Sequence, residues 1–202
     1  MDLSQYHIIE GEFITLRTIN ESDAEDIYMW RTSTSGVFMN QPKNYSVDSQ
    51  LMWIKTRPKN EVNYIIYAND GNEGKLGAIS IVDIDEQNKK AEVGRLLLNE
   101  KYLNVSSPYG LEALKLTYDL VLNKWKFNKI YGNILASNTR MVKMQTFLGM
   151  EQEGTLKKHV FLNYKFVDIN LYCIFSDVLN SKYIPKINFL LRSFQMPIEK
   201  KI

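Results

Sequence analysis

The stretch AEVGRLLLNEKYLNVSSPYGLEALKL, Ala91 to Leu116, reads as a strand, a polar loop and the start of a helix. The start of a helix presents backbone N–H groups with no acceptor inside the helix, and its dipole favours an anion such as a phosphate. Glycine lets a ligand approach such a backbone closely, which suits Gly110. Pro108 has no N–H to offer, yet it fits just inside a helix start, because the first-turn N–H is unpaired within the helix anyway. Ser106 and Ser107 add hydroxyls that can meet a phosphate where the amide is lost. The expectation is a modified anion cradle, weaker than one built on glycine alone.

The elements that must position this loop alternate along the chain. Glu12 to Ile19 alternates apolar and polar residues as a strand does, and SDAEDIYMWR follows with Ser22 and Glu25 at capping-box spacing. Ser46 and Ser49 precede a short second helix, QLMWIK. Three β-rich runs come next, VNYIIYAND, KLGAISIVDID and AEVGRLLLN, joined by DGNEG and EQNKK, so an antiparallel meander is expected. Leu111, Leu114, Leu116, Tyr118, Val121 and Leu122 line one helical face after the loop. KIYGNILA is again a strand. In NTRMVKMQTFLGM, Asn138 is a helix N-cap and Gly149 a stop. HVFLNYKFVDINLYCIF is two strands around a turn at Asn163 and Tyr164, and the tail from Ser176 is partly helical, broken by Pro185 and Pro197.

Composition bounds the rest. The chain has 202 residues, 45% of them hydrophobic, and a formal charge of +2 with both signs interspersed. That is enough for one core and does not make the basic stripe that nucleic-acid binding needs, so DNA and RNA are not expected partners. No apolar run approaches the roughly 20 residues of a membrane span, and a cytoplasmic location is expected. The lone Cys173 sits in the apolar run INLYCIF and reads as a buried strand residue, without disulfide or thiolate metal chemistry. No metal is expected.

The order strand, two helices, three-strand meander, helix, strand, helix, two strands resembles the GNAT superfamily of acyl-CoA-dependent N-acyltransferases. The likeness covers about Glu10 to Phe175. It is sharpest in the second half, where an Asn opens the last helix, a Gly with an apolar residue ends it, and EG, a small residue and Leu start the next strand. The resemblance implies an α+β fold with a mixed sheet of about seven strands and helices on both faces, a domain over residues 1–175, and an extension over 176–202 packed on it. It implies acetyl-CoA as co-substrate. The family's usual loop is Arg or Gln, two residues, Gly, one residue, then Gly or Ala; Gly110 matches the last position, while Pro108 stands at the first glycine and Val105 at the basic residue.

By the same resemblance Ser106, Ser107, Tyr109, Gly110 and Asn138 fall where the CoA arm is held. Glu92 falls on a glutamate that receives the amine proton, although it could also only pair with Lys90. Leu96, Leu97 and Leu98 would offer backbone groups to the acetyl and pantetheine arm. The family's frequent general acid, a tyrosine seven residues after the asparagine, is replaced by Gln145. His159 and Tyr164 are unsupported as substitutes.

The acceptor end, IYMWRTSTSGVFMNQPKNYSVDSQLMWI, resembles amino-sugar N-acetyltransferases of surface-glycan pathways at Trp30, Arg31 and Trp53, with Gln50 where a histidine is often seen. There the arginine is expected near a nucleotide diphosphate, and a cleft reaching Trp30 would favour the sugar. A nucleotide-linked amino sugar is therefore the leading acceptor. Alternatives are a protein N-terminus of the ribosomal-protein type, a polyamine or antibiotic amine, and a non-catalytic acyl-CoA-binding or interaction module. A homodimer is compatible with all of these.

Overall fold

In the computed structural model, residues 4–33, 36–39, 41–69, 74–103 and 107–195 are described. An eight-stranded mixed sheet runs in the order β1-β2-β3-β4-β5-β6-β8-β7. Its strands are β1 (Ile8–Glu10), β2 (Ile14–Thr18), β3 (Val62–Ala68), β4 (Lys75–Asp85), β5 (Lys90–Leu98), β6 (Lys129–Leu135), β7 (Glu151–Leu162) and β8 (Lys165–Phe175). The expected meander is β3-β4-β5, antiparallel throughout. β1 was not foreseen: it is three residues long and hidden in a polar N-terminus, and it exists because Gly11 turns the chain back, its N–H donating to the Ile14 carbonyl at 2.8 Å. Most of the DGNEG turn lies outside the described residues.

Alternation along the strands divides the core in two. Tyr64 and Ile66 of β3, with Ala91 and Val93 of β5, face α4 (Tyr109–Tyr118) and α7 (Ile184–Gln195). Ile65 and Leu97 point the other way, onto α1 (Ala24–Thr32) and α2 (Val47–Thr56). The remaining helices are α3 (Glu100–Leu103), α5 (Thr139–Leu148) and α6 (Ser176–Val178).

Two local expectations are corrected. The capping box before α1 is Asn20 with Asp23 rather than Ser22 with Glu25, because a 3-10 turn over Glu21–Asp23 precedes the helix; Asn20 Oδ1 accepts from Ser22 N–H at 3.0 Å and Asp23 Oδ2 from Asn20 N–H at 2.9 Å. Pro185 does not break the tail but lies in the first turn of α7, where proline is tolerated. The described extension packs into the main core through Leu179, Tyr183, Ile187 and Leu191. Cys173 is buried on β8, and burial pushes its thiol up to about 11, so it remains protonated near neutral pH.

Candidate active site

The site forms where the sheet comes apart. β5 and β6 are parallel and pair only at Lys90↔Lys129, Ala91↔Ile130 and Glu92↔Tyr131, although both strands continue beyond. A cavity of about 210 Å³ occupies the gap, lined by Glu92, Gly94 and Arg95 of β5 and by Gly132 and Asn133 of β6. Tyr118, Asn138 and Gln145 complete its wall on the α4/α5 side, and Phe38 and Met39 on the other. The cavity therefore passes through the sheet.

β5 also breaks its pairing with β4 at this level. Ser80 pairs with Gly94 but Ala78 with Leu97, so three steps on β5 match two on β4. The extra residue is a β-bulge, and Arg95 takes φ 52° within it. Past the bulge the backbone directions can be read: Asn99 N–H donates to the Leu76 carbonyl at 2.7 Å, toward β4. Alternate residues share a side, so Leu97 is also turned to β4, where its carbonyl lies against Gly77, while Leu96 and Leu98 turn their backbone groups toward the split. The expectation for Leu97 is thus corrected: its backbone serves the ladder and its side chain the α1/α2 core.

Glu92 alternates with Ala91 and Val93 and so faces the α1/α2 side; a β-carbon on Gly94 would sit 3.3 Å from Glu92 Oε1, which leaves the carboxylate lying over a glycine. Asn133 orients it, its Nδ2 donating to Oε2 at 2.9 Å and its N–H approaching Oε1 at 3.4 Å. Burial raises the carboxyl pKa, the Asn133 hydrogen bonds oppose this, and the charge of Asp83 adds to it. An acid shifted toward neutrality is better matched to accepting an ammonium proton than an ordinary glutamate. Lys90 is not its partner: its ammonium lies 5.9 Å from the Tyr131 ring centroid.

The start of α4, where the sequence suggests an anion cradle, stands across β5 from this carboxylate. Pro108 occupies the N-cap of α4 in helical geometry, φ −76° and ψ −13°, one position earlier than the sequence suggested, and Glu112 N–H is the first to reach back, to the Pro108 carbonyl at 2.9 Å. The amides of Gly110 and Leu111 precede it in the turn and have no i−4 acceptor within α4. A β-carbon on Gly110 would lie 3.4 Å from Leu98 Cδ1 and 3.8 Å from Leu96 Cδ2. A β-carbon alone would therefore fit there in ordinary contact, and only a larger, branched side chain would press on the strand that borders the split. Tyr109 packs edge-on to Tyr102 at 5.7 Å. Ser107 is half-buried beside Pro108, and Ser106 and Val105 lie outside the described residues. Asn138 both lines the cavity and caps α5, its Oδ1 accepting from Met141 N–H at 3.2 Å.

This set fits an acyl-CoA: amides at a helix start for a diphosphate, and strand edges turned outward for an amide-bearing arm. Replacing Pro108 with glycine restores one donor; one hydrogen bond to a charged acceptor, about 1.5–3 kcal/mol, less the added loop freedom, should tighten acetyl-CoA up to about tenfold. Gly110→Val should weaken it by about tenfold or more, since the branched side chain would wedge α4 off Leu98. Calorimetric titration of both variants with acetyl-CoA checks this.

Trp30 and Arg31 are separated by the structure. Trp30 is 4% exposed and packs with Ile27, Ile54, Ile65 and Leu97; it lines neither the split nor any open surface, so it is a core residue and the cleft does not reach it. Arg31 lines a second, open cavity of about 670 Å³ that shares Met39 with the split. Its Nε donates to Gln41 Oε1 at 3.1 Å and its guanidinium lies 5.3 Å from the Tyr45 ring centroid, while Gln50 accepts from the Tyr45 hydroxyl at 2.6 Å. Burial lowers the Arg31 pKa, and Arg95 lowers it further. Trp53 lies under Arg95, 5.7 Å from its guanidinium. His159 on β7 and Tyr164 at the β7–β8 turn are exposed and away from the split.

Sequence reasoning missed Arg95, whose bulge has no composition signal, and Glu112. The Glu112 carboxylate is buried and accepts from the N–H groups of Glu12, Phe13 and Ile14 at 2.8, 2.7 and 2.9 Å, tying α4 to the start of β2.

A sheet that splits beside a bulge, with a helix start packed on the strand that borders the gap, is an architecture suited to an acyl-CoA transferase. The chain matches the Acetyltransferase (GNAT) domain family over residues 14–151 and belongs to it; it is an acyltransferase. Over 175 residues it is 21% identical to the uncharacterised N-acetyltransferase YoaA of Bacillus subtilis, covering 84% of this chain and 97% of that one. Among solved structures it is similar to spermidine N-acetyltransferase from Vibrio cholerae in complex with CoA and spermine, with TM-score 0.72, 17% identity, and 86% and 99% of the two chains covered. A GNAT-family structure from Chromobacterium violaceum gives TM-score 0.74 at 13% identity, with 86% and 88% covered. At these identities the structures speak for the fold.

Proposed function

We propose that the protein transfers the acetyl group of acetyl-CoA to the primary amine of a small acceptor bearing an anionic group, with a nucleotide-linked amino sugar favoured by Arg31 alone, since the cleft does not reach Trp30. The observation that carries this is the open cavity holding Arg31, which has Met39 in common with the wall of the split. A fixed guanidinium there can fork onto phosphate oxygens; Arg95 adjoins it but is paired with the Glu61 carboxylate at 3.2 Å, so Arg31 carries the anion contact. In this reading the amine reaches the split from the α1/α2 face and Glu92 takes its proton. The Leu96 backbone polarises the thioester carbonyl, a donor aimed at developing negative charge. Gly110, Ser107, Tyr109 and Asn138 hold the acyl donor from the α4/α5 face.

A polyamine is the second reading, favoured by the likeness to a spermine-bound acetyltransferase and by the carboxylates of Asp83 and Glu92, which bear on one another beside Tyr131. The Arg31 guanidinium opposes a polycation in its cavity. A thiol-release assay with acetyl-CoA against UDP- and dTDP-amino sugars, polyamines and N-terminal peptides decides between them. For a nucleotide sugar, Arg31→Ala should raise the acceptor KM about tenfold or more while the acetyl-CoA KM stays put. Unchanged constants, or turnover with spermidine alone, would overturn the anionic acceptor.

A further inference from the structure

One polar group in the wall of the split is used by none of these roles. Gln145 of α5 is 4% exposed and lines the cavity on the α4/α5 side, across the sheet from Glu92. Its Oε1 lies 3.4 Å from the Tyr118 hydroxyl, which also approaches Met150 Sδ at 3.3 Å, and among the described residues its Nε2 meets a soft acceptor alone, Met141 Sδ at 3.7 Å. Tyr118 is itself fixed: it is fully buried, stacks on Tyr183 at 4.6 Å and 16°, and is followed at once by a π-helical segment, Asp119–Lys124. A second π segment, Leu179–Tyr183, ends on its stacking partner. Such segments are rare and occur mostly at functional sites.

We propose that the Gln145 amide, held by Tyr118, donates a hydrogen bond to the sulfur of the acyl donor and stabilises the departing thiolate as an anion, so that no titrating acid is needed. This rests on the acetyl-transfer chemistry above. The amine nitrogen bonds to the acyl carbon as the carbon–sulfur bond breaks with its electron pair on sulfur. The ammonium proton passes to Glu92, and the thiolate leaves unprotonated, to be protonated later by solvent. A thiol with an ordinary pKa of about 8.5 is a tolerable leaving group, so a neutral donor in a dry wall suffices. Tyr118 is not the acid: burial lifts its hydroxyl far above the ordinary range, so it stays protonated and serves as a positioning residue.

The test uses coenzyme A and desulfo-coenzyme A, which lacks the thiol, as probes in calorimetric titrations of the native protein from pH 7 to 10. Groups around Gln145 that could respond to pH are Tyr118 and Tyr183 on its own face and Glu92, Arg95, Asp83 and Tyr131 across the split; the ratio of the two probes isolates the sulfur, and comparison with Gln145→Met separates the amide from the charges of these groups, which also act on a bound thiolate. A donor to the thiolate lowers the bound thiol's pKa, so coenzyme A should gain affinity over its desulfo analogue as pH rises, reaching about tenfold for each unit of lowering. Gln145→Met, of similar volume, should abolish the gain, and Tyr118→Phe should reduce it. If Gln145→Met fails to fold, Gln145→Glu should reverse the trend by setting a carboxylate against the thiolate. Parallel affinities for the two probes in the native protein, or a gain that survives Gln145→Met, would overturn the proposal. Failure of both probes to bind would overturn the acyl-donor site as well, a result distinct from parallel binding.

Discussion

Glu92→Gln is expected to lower kcat at pH 7 by about a hundredfold, within the usual range for a lost general base, and by much less at pH 9, where more of the amine is already neutral. The same substitution should make the fold more stable. Burial, reinforced by Asp83, raises the Glu92 carboxyl above its ordinary value. Its folded-state pKa is then higher than its unfolded one, so the favourable contribution of the protonated form is present below the unfolded pKa and lost as pH rises through the folded one. The glutamine that replaces it cannot ionise; its oxygen can keep the 2.9 Å bond from Asn133 Nδ2 while its NH₂ group opposes the longer contact from the Asn133 N–H, so the variant's Tm relative to the native protein should be lowest at pH 4, grow through the folded pKa and persist at pH 8. Thermal melts across that range and rate profiles at saturating substrates read both effects. Loss of turnover that is the same at pH 7 and pH 9 would remove the base role, and a Tm difference independent of pH would remove the burial argument.

Opposite signs for activity and stability are what a half-buried, positioned acid should give, and the geometry says why the fold tolerates it. The bulge at Arg95 and the early end of β5–β6 pairing leave backbone and carboxylate facing a gap instead of a ladder. Arg95 in turn is held by Glu61, whose carboxylate is buried, at 3.2 Å. Glu61 Oε1 accepts from Asn63, whose Oδ1 accepts from Ser80 at 2.6 Å. This chain of polar groups crosses β3 and β4 and braces the bulge from the α1/α2 side.

Much of the scaffold could be read from the sequence because it depends on local rules. Alternation gave the meander, and Ser46 and Asn138 announced α2 and α5. What escaped depends on register and on partners distant in sequence. Leu96, Leu97 and Leu98 are one apolar run, and only the bulge decides that Leu97 turns to β4 while its neighbours turn to the split. Trp30 and Arg31 are adjacent, but helical rotation sends one into the core and the other to the open cavity. Gln145 looked like a missing acid, and its relation to Tyr118 exists only because α4 and α5 meet. Glu112 looked like an ordinary first-turn acid, and its three partners lie about a hundred residues away.

Glu112 should therefore be the most sensitive polar position in the scaffold. Its Oε2 accepts from Phe13 and Ile14 and its Oε1 from Glu12, and a β-carbon on Gly11 would lie 2.8 Å from its Cδ, so the turn is moulded to this carboxylate. Glu112→Ala strips three backbone donors of their acceptor in a half-closed site. Each such loss costs about 1–3 kcal/mol, so a total of at least about 3 kcal/mol follows, and at roughly 2–4 °C per kcal/mol for a chain of this size Tm should drop by about 6–12 °C. Glu112→Gln should fall between the two: its amide oxygen can replace Oε2 for Phe13 and Ile14, but its NH₂ group then opposes the Glu12 N–H. Because α4 also carries the Gly110 amide, the alanine variant should bind acetyl-CoA more weakly even below its melting transition. Differential scanning calorimetry with acetyl-CoA titration at low temperature measures both. A Tm within about 2 °C of the native value for Glu112→Ala, less than about 1 kcal/mol on this scale, would mean that water serves the three amides as well as the carboxylate does, and that α4 is held by its apolar face alone.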